Sequence, residues 1–296
     1  MPHLFLSIWY RIAYLTLRSV LFFFANIPIP ISRFIAYCVG TIFWFFAGKR
    51  RKKIQENLQI AYPEGIPFPI KRFTHQVFVH FAYTFFEFAL GQRLFQKDNW
   101  QKYVAGDDIE SLRKELSQYP CAVLCTGHLG NFTLIGHVVC YSGIPAMTVI
   151  RELYNPLINN FFMELLSKSG NHIVLKEKAY ETFQQIIPQG ICPGVLIDQY
   201  AGKKSLYVPF MGKKAYTAAS PASLARKYEL PIYFVALVRE SFFRFRFFSR
   251  KVPIESFTQD KQKDLESITT NLNQVLEEII RLYPEQWFWM HRRWRD

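Results

Sequence analysis

The stretch Ala122-Val123-Leu124-Cys125-Thr126-Gly127-His128-Leu129-Gly130-Asn131-Phe132-Thr133-Leu134-Ile135-Gly136-His137-Val138-Val139 delivers a histidine from an apolar run into a glycine turn. Residues 122–126 are apolar and β-branched enough to read as a core strand, and residues 134–139 read, more weakly, as a helix. His128 then stands at a strand end above a helix N-terminus, where unpaired backbone N–H groups can hold a developing oxyanion. Outward from this point the same alternation continues. Strand-like runs at 146–150, 172–175, 194–198, 231–238 and 243–249 are separated by helical stretches near 156–168, 178–187 and 217–228. Strands alternating with helices predict an α/β fold with a mostly parallel central sheet flanked by helices. Residues 261–282 form a further long helix with Leu265, Ile268, Leu272, Val275, Leu276, Ile279 and Ile280 on its inner face.

The residues before the sheet read differently. Helical spacing covers 50–61, ending at the turn Tyr62-Pro63-Glu64-Gly65, and covers 71–95, where Phe78, Phe81, Phe85, Phe86 and Leu90 form an aromatic stripe of the kind that packs in a core. Residues 4–48 are apolar but broken by Arg11, Arg18, Arg33 and the Pro28/Pro30 pair. No uninterrupted run reaches the roughly 20 residues that cross a bilayer. Two arrangements fit: one spanning helix over 4–25, or an interfacial hairpin with its second arm over 34–48. No small-residue cleavage site follows the run, so it reads as a retained anchor. The organisation expected is an anchor over 1–48 and a catalytic domain over 49–296, with neither repeats nor a low-complexity linker.

Charge sharpens this division. Lysine and arginine number 36 against 23 acids, a net +13, which calls for an anionic partner or surface. Residues 1–48 hold no acid and lead into Lys49-Arg50-Arg51-Lys52-Lys53, the pattern of a cytoplasmic membrane face. Because the charge tracks the apolar segment, nucleic acid is a poor partner. The C-terminal mixture of Arg292, Arg293 and Arg295 with Trp287, Trp289 and Trp294 suits a headgroup layer. The five cysteines form no CxxC pair and imply neither a disulfide framework nor a zinc site. No cluster has metal-ligand spacing, no glycine-rich phosphate loop occurs, and no nucleophile elbow supports a serine or cysteine acyl-enzyme.

Four further blocks carry chemistry and are expected at strand C-terminal ends, where open α/β sheets bind ligands. These are Val149-Ile150-Arg151-Glu152 with Asn155-Pro156, Leu196-Ile197-Asp198-Gln199, the run from Val208 to Thr217 read as a glycine turn entering a helix capped by Thr217, and the run from Tyr283 to Arg293. In order, GHLGNF, V-x-R-x-x-x-N-P, D-Q, V-P-F-x-G-x-x-A-x-T with S-P-A-x-L-A, and P-E-Q-W-x-W-x-H-R-R-W resemble the bacterial lipid A late acyltransferases of the lauroyl/myristoyl type. The R-x-x-x-x-x-N-L-x-x-A-Y-P-E run from Arg51 to Glu64 extends the resemblance over nearly the whole chain.

The resemblance implies a lysophospholipid-acyltransferase-like fold on a bacterial inner-membrane enzyme whose catalytic domain faces the cytoplasm. It implies transfer of a fatty acyl chain from acyl carrier protein to a hydroxyl of a lipid A precursor, with no cofactor beyond the thioester donor. Acyl transfer to an alcohol needs a base and donors for the thioester oxyanion. His128 is the expected base. Backbone N–H groups after the Gly130 turn, with Asn131 or Arg151, are the expected donors, and Gly130, Gln199 and Lys213 join them as substrate-binding or oxyanion contacts. Lys203, Lys204, Lys213 and Lys214 read as a solvated face or, on a membrane enzyme, as contacts for lipid phosphate or the acidic carrier protein. His137 is expected to pack.

The family pattern places a Glu or Asp five residues after the histidine, and this chain has Thr133 there. Three outcomes follow: a second carboxylate, Asp198 or Glu152, approaches His128; Thr133 partners the imidazole in a slower enzyme; or catalysis is lost and lipid binding retained. Rival readings are acyl transfer to another glycolipid or lysophospholipid, with acyl-CoA as donor, and a catalytically silent membrane protein. A carboxylate within about 3.2 Å of the imidazole restores a dyad by another route.

Overall fold

The computed structural model describes residues 2–106, 108–203 and 205–295, with side chains from residue 8 onward. Two apolar helices come first, α1 (Pro2–Asn26) and α2 (Ile29–Phe46), joined at the Ile27-Pro28 corner. Spans at Ile8–Asn26 and Ile29–Phe46 are each long and apolar enough to cross a membrane. Two helices form over this segment, the second starting at Ile29, with Pro30 in the first turn of α2, where its missing N–H costs nothing. Trp9, Phe22, Phe34, Phe43 and Phe46 are exposed on the pair. On its other side α2 buries Ser32, Ala36 and Gly40, a small-residue stripe that admits a close helix approach. A Cβ at Gly40 would stand 2.7 Å from the Val79 Cα.

Helix α3 (Gly48–Ala61) carries the basic cluster, and α4 (Ile70–Leu94) carries the aromatic stripe. Phe78, Phe86 and Leu90 of that stripe are core, whereas Phe85 is exposed. The remaining elements are β1 (Val104–Ala105), α5 (Asp108–Leu116), β2 (Val123–Thr126), α6 (Ile135–Tyr141), β3 (Ala146–Ile150), α7 (Pro156–Ser167), β4 (His172–Leu175), α8 (Ala179–Ile186), β5 (Cys192–Leu196), β6 (Leu206–Phe210), β7 (Lys213–Thr217), α9 (Ser220–Tyr228), β8 (Ile232–Ser241), β9 (Arg244–Lys251) and α10 (Lys261–Leu282). One sheet runs in the order β1-β9-β8-β2-β5-β3-β4. It is parallel from β8 through β4, with only the β8–β9 hairpin antiparallel. The mixed α/β architecture with a mostly parallel, helix-flanked sheet is the one expected.

This order sets β2, β5 and β3 side by side. Their C-terminal ends lead directly into His128, Asp198 and Arg151. The Asn155-Pro156 step starts α7, with the Asn155 carboxamide oxygen accepting from Leu157 N and Ile158 N. The same carboxamide donates to the Tyr10 carbonyl at 3.0 Å, tying α7 to α1.

Two expectations fail. The block from Val208 to Thr217 is not a strand end feeding a helix: it is the separate antiparallel hairpin β6–β7. Met211 and Gly212 form its two-residue turn, both at positive φ (46° and 81°), as the twist of paired strands demands. Thr217 consequently lies in β7 rather than capping α9, and it receives the Arg293 guanidinium at 2.7 Å. The C-terminal aromatics do not form a headgroup layer either. Trp287, Trp289 and Arg293 are fully buried.

Candidate functional site

Glycine opens the site. A Cβ at Gly127 would press on the Asp198 carboxylate, and Gly130 holds φ +60° with its Cα so near β8 that a Cβ would lie 2.2 Å from the Leu237 carbonyl oxygen. Between them the backbone turns His128 toward β5. Its Nδ1 lies 2.8 Å from Asp198 Oδ1, and its own backbone N–H donates to Asp198 Oδ2 at 2.7 Å. Asp198 is fully buried, and the Trp287 indole donates to the same Oδ2 at 2.9 Å. Burial alone would raise this carboxyl; the charge and hydrogen bonds of His128, with His291 behind, hold it well below the usual carboxylate range.

The partner of His128 is therefore Asp198, a carboxylate 70 residues away in sequence. Glu152 is exposed and makes no ion pair with His128. Thr133 does not face the imidazole: its hydroxyl donates to Asn131 Oδ1 at 2.6 Å. With Asp198 accepting the Nδ1 proton, Nε2 keeps its lone pair. The Gln199 amide nitrogen stands 3.2 Å from that Nε2. Phe132 and Phe288 flank the ring at 4.8 and 6.0 Å between centroids.

At the glycine turn two backbone donors and one carboxamide donor already have partners. Gly130 N–H donates to Gln286 O at 3.1 Å and Asn131 N–H to Leu237 O at 2.7 Å. The Asn131 carboxamide is buried and donates to Glu87 at 2.8 Å. These three donors fix the turn to β8, to α4 and to the C-terminal tail. Gln199 is the side-chain donor in contact with the imidazole. Arg151 and Gln199 line a pocket of about 350 Å³ with Tyr200, His291 and Arg295. Lys213 lies on β7, exposed, and its carbonyl accepts from the Trp294 indole at 3.4 Å. Lys203 and Lys214 are exposed as well, while Lys204 falls outside the described residues. His137 is buried, its Nδ1 2.9 Å from Ser169 Oγ.

Trp287 and His291 were expected only as part of the run from Tyr283 to Arg293, with no role in the site assigned to either. His291 Nε2 approaches the Asp198 carbonyl at 3.1 Å, and its Nδ1 the Phe288 carbonyl at 2.9 Å. Burial pushes His291 below the usual histidine range, against the opposing pull of the Asp198 charge. The tail that carries both residues is held by α3. Asn57 Nδ2 donates to Trp289 O at 2.7 Å and His291 O at 2.8 Å, and Arg50 donates to Met290 O at 3.1 Å. The basic helix after the apolar helices thus holds the tail whose Trp287 reaches the Asp198 carboxylate and whose His291 reaches the Asp198 main-chain carbonyl. Among the described residues, no group of three or more His, Cys, Asp or Glu side chains is placed to hold a metal ion.

The turn itself gives a stability test. Gly130→Ala forces a Cβ into the Leu237 carbonyl in a left-handed conformation that costs an ordinary residue on the order of 1 kcal/mol before any clash. The variant is expected to melt lower and to lose the Gly130–Gln286 bond, read by thermal denaturation. An unchanged melting point would contradict the tight approach of β8.

Two comparisons bear on this arrangement. Residues 3–296 match the family described as bacterial lipid A biosynthesis acyltransferase. No curated protein matches the chain.

Proposed function

The chain belongs to the bacterial lipid A biosynthesis acyltransferase family, and from that membership we propose that it moves a fatty acyl chain from acyl carrier protein to a hydroxyl of a lipid A precursor, with His128 as the general base. The observation that carries the reading is the 2.8 Å contact between His128 Nδ1 and the buried, ionised Asp198. Nε2 accepts the acceptor hydroxyl proton as the alkoxide attacks the thioester carbonyl. Asp198 stabilises the imidazolium that forms and fixes its tautomer. The tetrahedral oxyanion develops against Arg151 and the Gln199 amide, which line one pocket. Collapse breaks the C–S bond, and the imidazolium returns its proton to the departing thiolate.

Thr133 fits this scheme without a catalytic role of its own. Its hydroxyl serves Asn131, and the orienting charge expected at that position comes from Asp198 instead. Residues 1–48 act as the anchor that sets residues 49–296 against the cytoplasmic leaflet of the inner membrane, an assignment supported by the length, apolarity and exposure of α1 and α2.

The direct test supplies purified full-length protein with a lipid A precursor and either acyl carrier protein or coenzyme A as acyl donor, reading the product by mass spectrometry. Transfer from the carrier protein is expected to exceed transfer from coenzyme A. Thr133→Glu is expected to leave the rate at the wild-type level, since Asp198 already occupies Nδ1. Absence of product from both donors would overturn the catalytic reading, and a large gain from Thr133→Glu would overturn Asp198 as the working partner.

A further inference from the structure

A second cavity lies away from His128, where α2 ends and α3 and α4 begin. It measures about 920 Å³ and is lined by Trp44 and Phe45 of α2, Arg51, Lys52 and Gln55 of α3, and Lys71 at the start of α4. Its apolar wall is held in place. The Trp44 indole donates to Thr74 Oγ1 at 3.1 Å and packs edge-on against His75. The Arg51 guanidinium donates to the Trp44 carbonyl and, at 2.7 Å, to the Phe45 carbonyl, and lies 5.1 Å over the Trp44 ring. It thereby closes the C-terminal end of α2 and leaves a fixed positive charge on the cavity wall.

The other two cations differ. Lys52 and Lys71 are exposed, and among the described residues no carboxylate lies within ion-pair distance of either. The nearby carboxylate on α3, Glu56, is already paired with Lys53. Below this cationic rim α2 presents Ile42, Phe43, Phe45 and Phe46 to the outside. A ligand seated here meets positive charge at one end and continuous apolar surface at the other.

We propose that this cavity binds the headgroup and upper acyl chains of an anionic glycerophospholipid. The proposal rests on the membrane-anchoring reading of α1 and α2, which sets the cavity at the interface between acyl chains and headgroups. Three cations beside an aromatic wall match a lipid phosphate above its chains. A free phosphate would leave the apolar wall unused, and an acidic protein would have no use for a concave apolar floor.

The test places the full chain in nanodiscs of equal phosphatidylglycerol and phosphatidylcholine and measures, by native mass spectrometry, which lipids stay bound on release. Wild type is expected to retain phosphatidylglycerol selectively. Lys52→Gln/Lys71→Gln is expected to lose that selectivity by about fivefold per lysine removed, with melting point and basal acyl transfer unchanged. Entry into the discs without selectivity, or selectivity unaltered in the double variant, overturns the lipid site alone. Failure to enter the discs overturns the membrane reading and the site with it. Unaltered lipid selectivity in the double variant together with a raised KM for acyl carrier protein would assign the surface to the protein partner instead.

Discussion

Replacing His128 with alanine is expected to lower kcat for acyl transfer by about 10²- to 10⁴-fold, the range that a positioned general base supplies. Asp198→Asn is expected to fall toward the upper end of the same range, because loss of the orienting charge in an analogous triad costs up to about 10⁴-fold. Asparagine offers one oxygen and one NH₂ where three donors now converge: the ring and backbone N–H of His128 and the Trp287 indole. One of the three must lose its acceptor. Because Asp198 acts through His128, adding Asp198→Asn to His128→Ala should cost little more in rate, the non-additivity of groups that work as a unit. Additive losses in that cycle would sink the dyad, as would an Asp198→Asn protein with native melting and native kcat. The pair also sets an acid limit on stability. Its folded carboxyl titrates below the free value of about 3.9, so the contribution is complete above that pH and is lost as pH falls toward the folded value.

The strands were legible where burial on both faces makes a continuous apolar run, as at 122–126 and 146–150. Asp198 was visible as an acid closing such a run and as one of two carboxylates expected to approach His128, but the choice between it and Glu152 was not. That choice depends on β5 lying beside β2, a matter of strand order that periodicity does not carry. The same limit applies at the glycine turn, where the Gly130 and Asn131 N–H groups find tertiary acceptors in Gln286 and Leu237. The tryptophans misled for a different reason. An indole has an apolar body and one donor, which suits a membrane interface and a buried carboxylate equally, and only the return of the chain along α10 decides for Asp198.

Hairpin β6–β7 escaped because Met-Gly is a weak turn signal beside Asn-Gly. The clue was present in the alternation of Leu206, Val208 and Phe210, all buried, with Tyr207 and Pro209 exposed. Pro209 also marked a strand that need not donate to a neighbour. Asn57, part of the run from Arg51 to Glu64, likewise had a physical reason that spacing could not state. It satisfies two carbonyls of a tail 232 and 234 residues distant.

Glu87→Ala is expected to destabilise the folded protein by about 3–5 kcal/mol, the cost of stripping the partner from a buried charge. Glu87 on α4 and Arg239 on β8 are joined by two charged hydrogen bonds, Nε to Oε1 at 2.7 Å and Nη2 to Oε2 at 2.6 Å. Glu87 also accepts from Asn131 Nδ2 at 2.8 Å and Phe243 N at 2.9 Å. Arg239 completes its fork on Thr84 Oγ1 and on Nδ1 of His80, which burial, followed by the Arg239 charge, holds neutral, well below the usual histidine range. Every charged atom is satisfied, so one deletion orphans several groups at once. Replacing both residues with methionine removes the unpaired charge, yet Asn131 and Phe243 still lose their acceptor at about 1–3 kcal/mol each. The double variant should therefore be less damaged than the sum of the singles but not restored. Thermal denaturation of the four proteins measures the coupling, expected at about 0.5–3 kcal/mol. Because Asn131 anchors the turn that carries His128, Glu87→Ala should also lower kcat in whatever folded fraction remains. A Glu87→Ala protein with wild-type melting would mean that the turn is held without this network.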